Sequence, residues 1–527
     1  MKIIFIFPFK NTNTGSPFKW LSVGVPVLIG NLKKFFPQII FHQIDLEEEI
    51  SEAFRKDKLN KKYLEIFNFL ENIRDGNLTK KQEDLLNNFF SNIVSFFNFN
   101  KYDHYFFSVY NRNSIGIKTN ILLAKYLKKR YKNKKIVFGS IYGFENHISE
   151  KAIKNIQTDF IDSIVIHRGE NSTKKILESL LKKEKIEKVY KNPVTPEDYL
   201  ANYPDFKSFK NIKYFQHSFK DFEKLYRVDL NNVKSNEKVL FIPYVFSSGC
   251  FWSKCAYCTQ SGDNRFYCKK INQIIHDLYQ LKKKYKTKYF IFYNNNFNFD
   301  LNFSKKLLKA FIKNKLNILW TDSFNLSIMD KELINLLAKA GCFRMDIGVT
   351  VVNPKIQELY NNILQNKHLE YLEEISQKGI WSHINIIANL PYQYDIKKEK
   401  KIYKKYMKYI DGVTLNSYRP YSHSRLEQNY NKYDLLKLIN EKIKFFDTEI
   451  IIPFIEKDFK GSLKERKKIF INNFLELHKF FVEYKKRINS IDLYLLGYLY
   501  NYFGFNDKNK IIKIIQKIDY NVNKNEI

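Results

Sequence analysis

Short apolar runs alternate with helix-length amphipathic stretches in two series along this 527-residue chain, and no other feature limits the fold as strongly. In the first series residues 2–7 form a continuous apolar run suited to a buried parallel strand, and 20–36 read as a helix packed on it. Strands at 38–44, 102–110, 134–139 and 160–167 follow, with helices at 114–131, 144–156 and 172–183 and a charged helical insertion at about 46–97. Such βαβα order predicts an open parallel sheet with helices on both faces, whose ligands sit outside the carboxyl ends of the strands. The second series places strands at 239–246, 289–293, 318–322, 344–349, 383–388 and 412–418, with helices at 271–285, 304–313, 330–340, 354–362 and 369–378 between them. Six parallel strands with crossover helices predict a partial (β/α)6 barrel. The fold class is therefore α/β, divided as 1–185, a polar linker at 186–238, 239–426, and a charged helical region at 427–527.

Lys and Arg total 89 against 55 Asp and Glu, a formal net charge of +34. That excess is compatible with nucleic acid, anionic lipid or an acidic substrate. It coincides with abundant Asn, Ile, Phe (47) and Tyr (36) and scarce Gly (17) and Pro (12), the profile that A/T-rich codon bias produces. Phosphate and base recognition favours the Arg fork over Lys, so charge alone assigns no partner. The 44% hydrophobic and 27% charged content excludes a disordered chain or a collagen. No run reaches the roughly 18 apolar residues of a membrane span, and residues 1–15 lack a secretory cleavage pattern. Five cysteines, three of them between 250 and 258, argue against a secreted disulfide framework, so a reducing cytoplasm is the expected compartment.

Cys250, Cys255 and Cys258 stand at Cys-x4-Cys-x2-Cys spacing in a loop directly after a predicted strand. Clustered thiols in such a chain point to metal. Structural zinc closes with four ligands, but Cys268 and Cys342 stand alone and no His follows at finger-like spacing. Three thiolates on one loop can instead hold three irons of a cubane and leave the fourth iron open. The spacing favours the cluster, with zinc the alternative.

The loop resembles the cluster-binding motif of radical S-adenosylmethionine (SAM) enzymes, in the four-residue-spacer variant of several cobalamin-linked subfamilies. Tyr203 to Phe206 resemble the family's Pro-Asp-Phe segment upstream, and Phe246 to Cys250 its Ser-Arg-Gly-Cys run. Leu337 to Cys342, with Asp346 to Val349, resemble the Ala-Gly-Cys strand and its Ile-Gly-Val continuation. Ala388 to Pro391 resemble a late Gly-x-Pro turn, and Leu415 to Pro420 with Tyr430 the barrel's closing segment. Residues 1–185 look like the family's cobalamin-binding Rossmann-like domain, so the resemblance covers 1–185 and about 200–425.

This resemblance implies that Cys250, Cys255 and Cys258 hold a 4Fe-4S cluster whose open iron binds SAM, and that reductive cleavage gives methionine and a 5′-deoxyadenosyl radical. Tyr257, Asn296, Gly348 and Asn389 are the implied SAM contacts; Ser108, Gly139, Gly169 and Glu170 are those for cobalamin. The implied reaction is methyl transfer to an unactivated carbon of a peptide or small molecule, with a flavodoxin or ferredoxin as reductant. Cobalamin-free rearrangement, oxidation or cross-linking is the first alternative, RNA modification the second, and a non-catalytic module with structural metal the third. Thr350, Ser140, His167, Arg168 and Asn295 depart from residues frequent in the family. Residues 8–18 contain no His, which implies that any cobalamin lacks a histidine ligand from that loop.

Overall fold

A computed structural model describes residues 1–7, 21–46, 78–108, 114–139, 158–166, 169–192, 203–209, 212–218, 238–258, 260, 266–393, 395–418, 424–438, 442–445, 448–451, 454–484 and 487–489. The expected helix at 144–156, part of the 46–97 insertion, and Ser140, His167 and Arg168 lie outside them. Over the described residues the chain forms two units, Met1–Gln216 and His217–Leu493.

In the first unit β1 (Lys2–Phe7), α1 (Gly24–Phe35), β2 (Ile40–Asp45), α2 (Lys80–Phe96), β3 (His104–Ser108) and α3 (Ser114–Arg130) follow the expected alternation. β4 (Ile136–Gly139), β5 (Ser163–Val165), α4 (Glu170–Lys182) and β6 (Val189–Tyr190) complete it, the last strand lying in the stretch read as linker. All pairings are parallel, in the order β2-β1-β3-β4-β5-β6. The order reverses between β1 and β3, the position at which open sheets present ligand crevices. Both faces are apolar. Ile4, Ile6 and Phe107 pack on Phe89, Phe90 and Ile93 of α2 and Leu123 of α3. On the other face Phe5 meets Phe106 with ring centroids 5.3 Å apart, and Phe7 stacks on Phe209 at 5.6 Å. α2 starts where Thr79 and Gln82 form a reciprocal capping box.

The second unit holds a seven-stranded parallel sheet. Its strands are β7 (Ile242–Tyr244), β8 (Tyr289–Phe292), β9 (Leu319–Phe324), β10 (Cys342–Thr350), β11 (Trp381–Ala388), β12 (Gly412–Ser417) and a late strand, Arg487–Asn489, beside β12. Helices α5 (Ile271–Tyr285), α6 (Leu301–Lys313), α7 (Lys331–Lys339), α8 (Pro354–Leu359), α9 (Tyr371–Gln377) and α10 (Ile396–Tyr406) connect them. Asp300 and Asp330 cap α6 and α7 by accepting from the backbone N–H of Phe303 and Leu333. Gly341 turns α7 into β10 at φ +83°, and a Cβ there would stand 1.9 Å from the Ile318 carbonyl oxygen, so only glycine fits.

Side chains alternate across these strands, and the two faces differ. Trp320, Met345, Ile347, Val349, Ile384, Ile386 and Val413 point one way, each fully buried. Trp320 anchors that face, with Phe297 at 4.6 Å and Phe292 at 5.0 Å between centroids, pairs that contribute about 0.5–1.5 kcal/mol each beyond their burial. The opposite face carries Thr321, Ser323, Arg344, Asp346, Gly348, His383, Asn385 and Thr414, set side by side by the register.

Among the described residues beyond 427, short strands stand beside the expected helix. That region contains α11 (Arg425–Gln428) at its start, then the strands β13 (Leu435–Lys437), β14 (Lys442–Phe445), β15 (Thr448–Ile451) and β16 (Phe454–Glu456). β13 pairs antiparallel with β16, and β14 with β15. Only α12 (Leu463–Glu483) is a long helix among the described residues there, and β17 (Arg487–Asn489) is the seventh strand of the main sheet. Three- and four-residue strands are too short to show a period of two; they exist through their partners.

Candidate functional site

β7 runs into the cysteine loop. Gly249 opens the loop at φ +87° and Ser253 sits within it at φ +47°, conformations that cost an ordinary L-residue energy and persist only under outside restraint. That restraint is visible. Asn295 donates its side-chain amide to the Gly249 carbonyl at 2.7 Å, and Ser253 Oγ donates to the Cys250 carbonyl at 2.6 Å. Ala256 N–H reaches the Tyr360 carbonyl at 2.9 Å, and Trp252 Nε1 reaches the Asn361 carbonyl at 2.9 Å.

Cys250, Cys255 and Cys258 are all half-buried and free of disulfides. Burial pushes the Cys255 thiol up to about 12, reinforced by the charges of Cys258 and then Cys250. A metal taken up here must displace a firmly held proton. Among the described residues, no group of three or more His, Cys, Asp or Glu is arranged to hold a single metal ion. In a cubane each thiolate takes a different iron at a different corner, so three thiols spread around one loop fit that donor chemistry. Cys268, also half-buried with its thiol raised to about 12 by burial, and the buried Cys342 lie on other strands.

Tyr257 is buried, meets Tyr360 edge-on at 6.3 Å, and its hydroxyl lies near Thr350 and Cys255, with burial, then the Cys255 charge, pushing its proton affinity up. It therefore ties the cysteine loop to the carboxyl end of β10. There Thr350 has φ +65°, and Gly348 is exposed with open space where a Cβ would stand. On the neighbouring strand Asn389 follows β11 at φ +65°, 3% exposed, with both polar side-chain atoms buried and unpartnered. A buried amide without partners costs about 1–3 kcal/mol, so the Asn389 side chain is a candidate ligand contact. SAM fits this arrangement.

The three asparagines after β8 divide their tasks. Asn294 is fully used: its oxygen accepts from Phe246 N, Ser247 N and Ser247 Oγ at 2.9–3.1 Å, while its nitrogen donates to Asp322 at 2.7 Å. Burial pushes Asp322 up to about 8 against the pull of its N–H donors, Asn294 first. Asn295 holds Gly249, which leaves Asn296, half-buried at the sheet edge, for a ligand. Sequence reasoning missed Ser253, Asp322 and the polar face. On that face Arg344 donates to Asp346 at 2.6 Å, and His383 bonds Thr414 at 2.7 Å while burial, then Arg344, hold it neutral. The readable signal was polar residues at alternate positions of strands otherwise apolar.

In the first unit Ser108 and Gly139 end β3 and β4 directly opposite one another. Gly169 precedes α4, whose first turn contains the buried Glu170. The structure thus puts Ser108 and Gly139 at carboxyl ends of the sheet and Gly169 and Glu170 at a helix start.

Residues 244–399 match the model of the radical SAM superfamily. Its fold is similar to the radical SAM methyltransferase TsrM from Kitasatospora setae, solved with cobalamin and a 4Fe-4S cluster, at 11% identity and a TM-score of 0.51 over 81% of this chain and 77% of that one. The same enzyme with tryptophan substrate and a SAM analogue gives 11% identity and 0.52 over 81% and 75%. OxsB, a cobalamin-dependent SAM radical enzyme, gives 11% identity and 0.51 over 82% of this chain and 56% of its own. No curated protein sequence matches the chain. At such identities the likeness is one of fold.

Proposed function

We propose that this protein is a cobalamin-dependent radical SAM methyltransferase acting on an unactivated carbon of a small molecule or peptide. Residues 1–185 are then a Rossmann-like cobalamin domain and 239–426 a partial (β/α)6 radical SAM barrel. The observation that carries this reading is the three-thiol loop following the first strand of a parallel sheet, within the stretch that matches the superfamily. The sheet order of the first unit and the fold likeness to TsrM and OxsB support the cobalamin part. When bound, the cluster supplies the electron that cleaves SAM, and cobalamin supplies a methyl carrier.

The chain's own residues have simpler tasks. Cys250, Cys255 and Cys258 hold the cluster, and the buried positions of Tyr257 and Tyr360 shield it from water. Asn389 and Asn296 offer amides to the polar groups of SAM, and Gly348 leaves space for it. Ser108, Gly139, Gly169 and Glu170 line the cobalamin side, and the Arg344–Asp346 face is available to substrate.

Anaerobic purification with iron, sulfide and cobalt analysis, followed by dithionite and SAM, tests the proposal. About four irons per chain, stoichiometric cobalt and release of 5′-deoxyadenosine or methyl transfer are expected. Zinc in place of iron with no SAM consumed overturns it. Iron without cobalt moves the reading to a cobalamin-free radical SAM reaction.

A further inference from the structure

The turn bearing Asn389 is strained twice, at Asn389 and at Tyr392, both with φ +65°. Non-glycine residues keep that conformation only when their surroundings over-determine it. Part of the restraint is local. Gln393 Oε1 accepts from Leu390 N–H at 3.0 Å, and Gln393 Nε2 donates to both oxygens of the buried Glu399. The larger part comes from far along the chain. Tyr392 N–H donates to Glu456 Oε1 at 2.7 Å, Tyr392 Oη donates to the Tyr433 carbonyl at 3.1 Å, and Asn473 donates to the Gln393 carbonyl at 2.8 Å. Glu456 is held in turn by Arg466 through two 2.9 Å bonds, with side chains 0% and 3% exposed.

The same segment also grips the cysteine loop. Leu426 N–H donates to the Ala256 carbonyl at 2.9 Å, and Leu426, Leu435 and Phe454 share one apolar cluster with Ala256, Tyr257, Tyr360 and Leu390. One stretch, residues 424–473, thus touches both loops around the proposed SAM site. A buried ion pair contributes little net stability against apolar residues of the same volume, but it fixes geometry, and breaking one partner is costly.

We infer that the buried Glu456–Arg466 pair and Asn473 are positioning residues, through which the C-terminal region sets the Asn389 turn for SAM. The inference rests on the radical SAM reading. It gives this region a role in assembling the site.

The test is SAM binding to the anaerobically reconstituted full chain, by equilibrium dialysis, together with the electron paramagnetic resonance shift of the reduced cluster on adding SAM. Arg466→Met should weaken SAM binding about tenfold and diminish the shift, with iron content unchanged. Adding Glu456→Gln to it removes the orphaned charge but keeps an acceptor for Tyr392 N–H, and should restore most of the affinity. If Arg466→Met does not fold, Asn473→Ala, which removes only the bond to Gln393, should still weaken SAM about threefold. Variants that lower the melting temperature yet bind SAM like the parent overturn the clamp alone. A parent protein that holds a cluster but binds no SAM, or holds none, overturns the reading beneath it.

Discussion

Two parallel sheets built from similar apolar runs are used differently in the two units. In the first, Ile4, Ile6 and Phe107 fill one face and Phe5 and Phe7 the other, so helices or aromatic side chains occupy both. Only strand ends such as Ser108 and Gly139 remain for a ligand. In the second, Trp320, Met345, Ile347 and Ile384 bury one face while Arg344, Asp346, His383 and Thr414 line the other. That sheet can offer both an edge and a face. A sheet apolar on both faces leaves a ligand its rim; one with a polar face, where Arg344 and His383 are buried among polar partners, also brings charged groups together inside the fold.

The sharpest way to break the contrast is Cys255→Ala. Cluster iron should fall from about four per chain to near zero, with no 5′-deoxyadenosine formed, while cobalt content stays that of the parent. Loss of both metals would mean that the two units are not independent in cofactor binding. Next, Phe107→Ala, buried between Phe138 and the helices of the first unit, should cost about 3–5 kcal/mol in denaturant unfolding. A small cost there would show that this face is not the close-packed core described.

The units should also respond oppositely to pH. Burial pushes Glu399 up to about 7 from 4.5, so in the fold it keeps a proton that the unfolded chain has lost. Its contribution is fully present below pH 4.5 and is lost as pH rises to 7, a change of about 3 kcal/mol that Glu399→Gln should remove from the melting profile. In the first unit burial pulls His104 down to about 4 from 6.5, consistent with Nδ1 accepting from Lys135 N–H. Its contribution is present above pH 6.5 and is lost as pH falls to 4, so His104→Gln should flatten the acid side. Identical pH profiles for parent and both variants would refute these environments.

The smallest effect on stability should come from Asn389→Gly. Removing two buried unpartnered atoms returns about 1–3 kcal/mol, from which glycine's chain entropy subtracts about 0.5–1 kcal/mol. Melting temperature should hold or rise while SAM affinity falls about tenfold. A stability loss with unchanged affinity would make Asn389 a structural residue.

Much of the architecture is legible in the residues alone. The first six strands of the second sheet each overlap a stretch read as a strand, the helices between them follow the amphipathic stretches, and the cysteine spacing marks the loop. Asn294, Asn295 and Asn296 stand in a row, and nothing local shows what each of them does. Their division of labour depends on Asp322 and Gly249, which approach only when β9 and the loop are in place.

The chain by itself determined the features that depend on near neighbours: strand periodicity, helix caps, the thiol spacing and the need for glycine beside a turn. Tertiary structure decided whatever joins residues far apart in sequence. It made β17 a seventh strand, paired Glu456 and Arg466 under the Asn389 turn, and set a polar face opposite Trp320. Short strands and buried ion pairs have no local signature, because their stability comes from partners that only the fold brings within reach.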